Sequence, residues 1–188
     1  MDFRTIFSAI GALTAALGFA MLLPALADLV VGNEDWLVFL TASLITMIFG
    51  AGLWASSTGH KSELNLRQAF LMTVSIWVVL TLFGALPLYM SNLGLSFTDA
   101  MFEAMSGITT TGSTVITTLD TTAPGILLWR GLLQWFGGLG VVVMAIAVLP
   151  MLRVGGMQMF RAEAFETPDK ILPAAAQIAT AMVIVYCV

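Results

Sequence analysis

The chain has 188 residues, of which 59% are hydrophobic and only 10% charged, and its mean hydropathy is +0.98. This composition excludes a soluble single domain and indicates that lipid is the solvent for most of the chain. The formal net charge is only -4 and no basic stripe occurs, which argues against a nucleic-acid partner. The lone Cys187 and His60 supply neither an internal disulfide nor a metal-ligand set.

Charged residues divide the chain into uncharged windows, which can be compared with the ~20 residues that a membrane-spanning helix needs. The windows long enough for a span are residues 5–27, 36–59, 68–98 and 131–152. The window 104–119 is too short and too polar, so we expect it to enter the membrane and return. Residues 171–188 begin a further apolar segment of marginal length, which suggests that the chain is a fragment.

The first window has one alternative interpretation. Pro24-Ala25-Leu26-Ala27 ends in the small-x-small pattern of a signal-peptidase site. The preceding apolar run, residues 5–23, is longer than the roughly 7 to 15 residues of a leader and favours a retained helix. An intact mass that begins at Asp28 would remove this helix from the architecture.

The positions of lysine and arginine predict the orientation, because cytoplasmic connections retain positive charge. With the N-terminus inside, only Arg130 among the seven basic residues lies outside. The six cytoplasmic residues are then Arg4, Lys61, Arg67, Arg153, Arg161 and Lys170. This orientation is consistent only if residues 97–114 enter the membrane from the outer side and return to it, because a full span there would place Arg153, Arg161 and Lys170 outside.

Small residues in the predicted helices favour close helix packing in lipid. They are Gly11, Ala15, Gly18, Gly50, Ala51, Gly52, Gly137, Gly138 and Gly140. Gln134 is either an interhelical hydrogen-bonding residue or a polar lining residue. Trp36, Tyr89, Trp129 and Trp135 fall near helix ends, where interfacial positions are expected. Pro87 is expected to kink or end its helix.

The window that re-enters contains a predicted short helix followed by a hydroxyl-rich segment. Ser96 and Asp99 have the spacing of a helix N-terminal capping box, which places the helix start near Phe97. After it, Thr110, Thr111, Gly112 and Ser113 supply consecutive backbone carbonyls. Such carbonyls replace the hydration shell of potassium in channel filters. One segment offers too few oxygens, so several convergent loops would be needed; a capped membrane hairpin is the alternative.

A longer set of ordered motifs resembles the Trk/Ktr/HKT superfamily of potassium transporters, nearest to its bacterial Trk-type branch. The motifs are FTDAMFEAMSGITTTGST at residues 97–114, Trp129-Arg130, QWFGGLG at 134–140, Leu149-Pro150, and GGMQMFRAE at 155–163. The resemblance covers at least residues 97–186, and the first two helices are similar to the extra pair of the Trk branch.

The resemblance implies an all-α integral membrane fold with four repeats of outer helix, pore loop and inner helix around one pore. Residues 1–60 would be the N-terminal transmembrane pair and residues 68–152 the first repeat. Residues 110–114 would form its filter, with Gly112 as the single glycine that the family keeps in each repeat. Residues 153–170 would be a cytoplasmic connection and residues 171–188 the start of the second repeat. The first repeat would place potassium against the carbonyls of Thr110, Thr111, Gly112 and Ser113.

The resemblance also implies potassium as the transported substrate and no cofactor. It further implies a homodimer of the full-length protein, a cytosolic nucleotide-binding regulatory subunit, and the bacterial inner membrane as location. The expected function is potassium transport without enzymatic catalysis; the alternative is a non-conducting membrane interaction or assembly subunit. Asp99 and Glu103 either attract cations at the outer mouth or make hydrogen bonds within the pore loop. Arg130 is either an interfacial anchor or a gate.

Overall fold

The computed structural model describes residues 3–57 and 66–148, and all regular structure within those ranges is helical. The α-helices are α1 (Arg4–Ala20), α2 (Leu22–Val31), α3 (Trp36–Ser57), α4 (Leu66–Met90), α5 (Phe97–Ile108) and α6 (Pro124–Val148). A 3-10 turn, Leu119–Thr121, lies between α5 and α6. The prediction of an all-α fold is therefore confirmed for the described residues.

Within the described residues, three stretches are long and apolar enough to cross a membrane. They are Arg4–Val31, Trp36–Ser57 and Arg67–Met90, with mean hydropathies of 2.1, 2.0 and 2.2 over an 18-residue window of each. The first combines α1 and α2, because Met21 between them keeps helical backbone angles, φ -62° and ψ -17°. It therefore continues beyond the predicted window 5–27 and ends at Gly32, whose φ of 78° is the left-handed conformation that often terminates a helix.

Helices α1 and α3 pack closely because glycines remove side chains from their interface. A Cβ added to Gly11 would lie 2.8 Å from the carbonyl oxygen of Gly50 and 2.5 Å from the backbone nitrogen of Trp54. The hydroxyl of Ser43 donates to the carbonyl of Gly18 at 2.7 Å. The predicted close packing is confirmed at Gly11, Gly18 and Gly50, whereas a Cβ on Gly52 would meet nothing within 4 Å.

Proline lies inside the last turn of α4. The helix continues past Pro87 and ends at Met90. The amide of Ser91 donates to the carbonyl of Pro87 at 3.0 Å, and the following turn contains Gly94 with φ 66°. Pro87 cannot donate to the carbonyl of Phe83, but because the helix ends at Met90, a bend at this point displaces only its last residues. The chain then enters α5, which packs against α4.

The interface between α4, α5 and α6 is centred on fully buried Leu133 and Trp129. Leu133 packs against Gly84 of α4 and Gly107 of α5. The indole N–H of Trp129 donates to the carbonyl of Gly84 at 2.9 Å, and its ring meets Phe39 edge to face. The expectation of an interfacial Trp129 is therefore wrong: its polar atom finds a backbone partner inside the bundle instead of at the membrane surface.

The chain divides into two compact units, residues 1–134 and residues 135–188. In the described part of the second unit, residues 135–148, the rings of Trp135 and Phe136 meet edge to face with centroids 5.3 Å apart.

Several predictions lie outside the described residues: positions 58–61, the end of the inner helix at 149–152, the connection 153–170, the second repeat at 171–188, and Cys187.

Candidate functional site

The N-terminus of α5 is set by a capping box. The amide of Asp99 donates to the hydroxyl oxygen of Ser96 at 3.2 Å, and the amide of Ser96 donates to a carboxylate oxygen of Asp99 at 3.3 Å. Asp99 replaces the usual Glu or Gln, yet the reciprocal bonds form. Of the two roles considered for Asp99, the structure shows the capping role, which fixes where the short helix begins.

The C-terminus of α5 closes in a Schellman arrangement of hydrogen bonds. The amide of Thr110 donates to the carbonyl of Gly107 at 2.9 Å, and the amide of Thr111 donates to the carbonyl of Ser106 at 3.0 Å. The position between helix and loop that normally holds glycine is occupied by Thr110, with φ 57°. Positive φ is a genuine outlier for a β-branched residue and stores backbone strain of roughly 1–3 kcal/mol.

The segment that follows is exposed and carries a second left-handed residue. Thr110 to Thr114 are all exposed on this chain, and Gly112 has φ 77°. Gln134 of α6 lies beside it, with its amide nitrogen 3.7 Å from the position that a Cβ on Gly112 would occupy. The four residues chosen from the sequence, Thr110 to Ser113, therefore form one continuous exposed surface.

Ser106 of α5 makes hydrogen bonds to three consecutive residues of this segment. Its carbonyl accepts the amides of Thr111 at 3.0 Å and Gly112 at 3.3 Å. Its buried hydroxyl donates to the carbonyl of Ser113 at 2.7 Å. One lone pair of the Ser113 carbonyl oxygen therefore already accepts a hydrogen bond, and its second lone pair remains.

Glu103, one helical turn before Ser106, binds Thr114 at the end of this segment and the two residues that follow it. One carboxylate oxygen accepts the hydroxyl of Thr114 at 2.6 Å, the amide of Val115, and the amide of Ile116 at 3.3 Å. The other accepts Nε–H of Arg130 on α6 at 3.0 Å. The Glu103 side chain is 0% exposed and that of Arg130 16%. Within the described residues, the two side chains are therefore each other's partners, and the carboxylate of Glu103 is not exposed.

The start of α6 is fixed by another buried carboxylate. Asp28, fully buried at the end of α2, accepts the amide of Gly125 at 2.7 Å. The partly positive N-terminus of a helix favours a carboxylate there. Nearby Asp35 accepts the side-chain amide of Asn92 at 2.9 Å. The N-terminal helices are thus joined to the turn before α5 and to the start of α6.

These contacts could not be read from motif spacing alone. Glu103 and Ser106 share a face of α5 because they are three positions apart, which the sequence does display. Their partners are 7 to 27 positions away, and Asp28 and Gly125 are 97 positions apart. The one available signal for the ion pair was the isolation of Arg130 among acidic outer residues.

The exposed segment after α5 has the chemical groups that can contact a cation. The exposed segment presents successive peptide groups and hydroxyls, while the charged side chains behind it neutralise each other. Within residues 3–57 and 66–148, no group of three or more His, Cys, Asp or Glu side chains converges as a metal centre would require. Exposed carbonyls can replace part of the hydration shell of a monovalent cation.

Comparison with known proteins identifies the family. A family model described as TrkH, cation transport protein, matches residues 37–188. The chain is 42% identical to the Trk system potassium uptake protein TrkH of Vibrio parahaemolyticus, 39% to that of Salmonella typhimurium and 38% to that of Escherichia coli. Each alignment covers 99% of this chain and 39% of the relative.

A solved structure agrees with the sequence comparison. The crystal structure of the potassium transporter TrkH from Vibrio parahaemolyticus matches with a TM-score of 0.83 and 39% identity, over 100% of this chain and 37% of that chain. The chain spans about two fifths of the length of the curated relatives that it matches. Because the family model covers most of the chain, the chain belongs to the TrkH family of cation transport proteins.

Proposed function

We propose that this chain is the N-terminal part of a bacterial inner-membrane potassium uptake subunit. Its relatives are named Trk system potassium uptake proteins, and membrane location is supported by its three long apolar helices. Potassium would be the transported substrate, bound by backbone oxygens without a cofactor and without covalent chemistry.

The observation that carries the proposal is the geometry after α5. The chain leaves the helix through two left-handed residues, Thr110 and Gly112, and its next residues are exposed. The last carbonyls of a helix carry partial negative charge, which favours a cation near that end. The carbonyls of Thr110, Thr111, Gly112 and Ser113 would provide one wall of a potassium site, and the second lone pair of Ser113 would face the ion.

The carbonyls of this one segment cannot surround an ion by themselves. A potassium filter surrounds the ion with carbonyls from several segments. We therefore propose that three further repeats of the full-length protein complete the ring, and that the full-length protein forms a homodimer. A cytosolic nucleotide-binding subunit would regulate it, with residues 153–170 as one region that it could contact.

The orientation proposed for this subunit places the N-terminus in the cytoplasm. The basis is the distribution of basic residues, six of which fall in connections that this orientation makes cytoplasmic. In that orientation, the capped start of α5 faces the outer side and the loop re-enters from there.

Substitution of Gly112 in the full-length protein tests the proposal. In Gly112→Ala, the new Cβ makes only an ordinary contact, 3.7 Å from the Gln134 amide, but a φ of 77° becomes strained by about 1–2 kcal/mol. We expect impaired potassium-limited growth and a lower ratio of potassium to sodium uptake. Gly112→Asp adds a charge to the same surface and should abolish selective uptake.

Gly94→Ala is the matched control. Gly94 also has positive φ, 66°, and a Cβ there would meet nothing within 4 Å, so this variant imposes similar backbone strain away from the proposed filter. Growth and selectivity should stay near wild type. If both Gly112 variants insert normally and transport potassium with unchanged selectivity, the filter assignment is wrong and the non-conducting alternative gains support.

A further inference from the structure

We infer that Glu103 is a positioning residue that sets cation discrimination by fixing the chain directly after the proposed filter segment, at Thr114 to Ile116. The inference rests on the proposed function of Thr110 to Ser113. Glu103 itself is not part of the exposed surface of that segment, because it is buried in the protein with only 1% of its surface exposed. Its influence on an ion would act through the backbone that it holds.

The contacts of Glu103 leave the loop little freedom. A single carboxylate oxygen gathers three donors from consecutive residues, the hydroxyl of Thr114 and the amides of Val115 and Ile116. The Thr114 hydroxyl oxygen in turn accepts the Ile116 amide at 3.0 Å. These bonds orient the peptide planes directly after Ser113, and therefore the direction in which neighbouring carbonyls point.

Arg130 neutralises the buried carboxylate of Glu103 and connects it to α6. Its Nε–H meets the second carboxylate oxygen at 3.0 Å, so the loop, α5 and α6 share one junction. A buried charge without its partner is strongly unfavourable, which keeps both side chains in place. Glu103→Gln leaves the Arg130 charge without its partner, so a control that loses one outer carboxylate elsewhere is needed to separate the change in geometry from the change in charge.

The chemistry requires a carboxylate at position 103. Four donors converge on its two oxygens, and a carboxylate is an acceptor on both. A glutamine could accept the three loop donors with its oxygen, but its NH₂ group would then face Nε–H of Arg130, donor against donor. Glu103→Gln therefore preserves size while breaking the junction.

The test measures potassium and sodium uptake by the full-length protein carrying Glu103→Gln, with Asp120→Asn as the matched control. Asp120 is exposed in the turn before α6, so its substitution removes one outer carboxylate without touching the junction. We expect Glu103→Gln to lower the ratio of potassium to sodium transport by about tenfold, equivalent to about 1.4 kcal/mol. Asp120→Asn should leave this ratio unchanged.

Selectivity ratios do not depend on the amount of inserted protein, so reduced folding alone cannot produce the expected result. If Glu103→Gln does not insert, Thr114→Val removes one of the three loop donors while retaining the ion pair. It should shift the ratio in the same direction by a smaller factor. An unchanged ratio in whichever of these variants inserts would overturn the inference.

The Gly112 variants separate this inference from the proposed function. If Gly112→Ala changes selectivity but Glu103→Gln does not, the filter assignment stands and the positioning role is wrong. If neither changes selectivity, the filter assignment itself is wrong. Equal increases in the KM for potassium in Glu103→Gln and Asp120→Asn, at constant selectivity, would show that both residues only attract cations and would also overturn the positioning role.

Discussion

Leu133 on α6 packs against glycines from two helices, and the two contacts involve different atoms of its side chain. A Cβ added to Gly84 would lie 3.1 Å from Leu133 Cδ2, whereas a Cβ added to Gly107 would lie 2.9 Å from Leu133 Cβ. Truncation of Leu133 to alanine removes Cδ2 but keeps Cβ. We therefore predict that Leu133→Ala relieves the clash of Gly84→Ala and does not relieve that of Gly107→Ala.

The expected magnitudes follow from opposing terms. A glycine-to-alanine change inside a helix gains up to about 1 kcal/mol of helix propensity, while overpacking costs typically about 1–3 kcal/mol. Leu133→Ala alone should destabilise by about 2–5 kcal/mol, because Leu133 is fully buried. In the Leu133→Ala background, Gly84→Ala should restore about 1 kcal/mol of stability, because the gain in helix propensity remains and the clash with Leu133 Cδ2 is absent. Adding Gly107→Ala should lower stability further.

The assay is the midpoint of heat-induced loss of folded full-length protein in detergent, measured for the single and double variants. Gly52→Ala is the control for the propensity gain, because a Cβ there would meet nothing within 4 Å. It should be neutral or slightly stabilising. Equal rescue of Gly84→Ala and Gly107→Ala by Leu133→Ala, or rescue of Gly107→Ala alone, would refute the packing described for α4, α5 and α6.

Two further substitutions test the hydrogen bonds around the loop and at the start of α6. Ser106→Ala should destabilise by about 1 kcal/mol, because it removes the hydroxyl that donates to the Ser113 carbonyl. It should also lower potassium selectivity in uptake measurements, whereas Ser106→Thr, which keeps a hydroxyl, should retain more of it. Asp28→Leu should lower the thermal midpoint of the full-length protein by leaving the Gly125 amide without its acceptor, at a cost of about 1–3 kcal/mol. Asp28→Asn keeps a carbonyl acceptor and should cost less; equal losses in the two Asp28 variants would contradict the role of this bond.

Local signals in the sequence located the elements well. Charged residues mark the ends of apolar windows, so the spans in α1 to α3 could be predicted within a few residues, whereas α4 ends at Met90, well before residue 98 at the end of its window. The capping box of Ser96 and Asp99 placed the start of α5 at Phe97, where the structure has it. The helix ends at Ile108, just before the hydroxyl-rich segment that was expected to follow it, because Gly107 and the threonines that follow disfavour helix.

Features that depend on tertiary contacts could not be predicted in the same way. The residue that caps α5 in a left-handed conformation is Thr110, although propensity favours glycine at such a position. The hydrogen bonds that the amides of Thr110 and Thr111 donate to the carbonyls of Gly107 and Ser106 outweigh that preference. Trp129 was expected at an interface from its place near a helix end, but a carbonyl of α4 accepts its N–H inside the bundle. The partners of Glu103 and Asp28 depend on how helices distant in sequence meet.

The central claim, that Thr110 to Ser113 form one wall of a potassium site, is tested most directly by locating the ion. Crystals of the full-length protein would be soaked in rubidium, a potassium analogue, and anomalous difference maps collected. We expect a peak within coordination distance of the carbonyl oxygens of these residues, and its loss in Gly112→Asp. A map in which rubidium occupies other sites in the pore, but never one bounded by this segment, would contradict the claim.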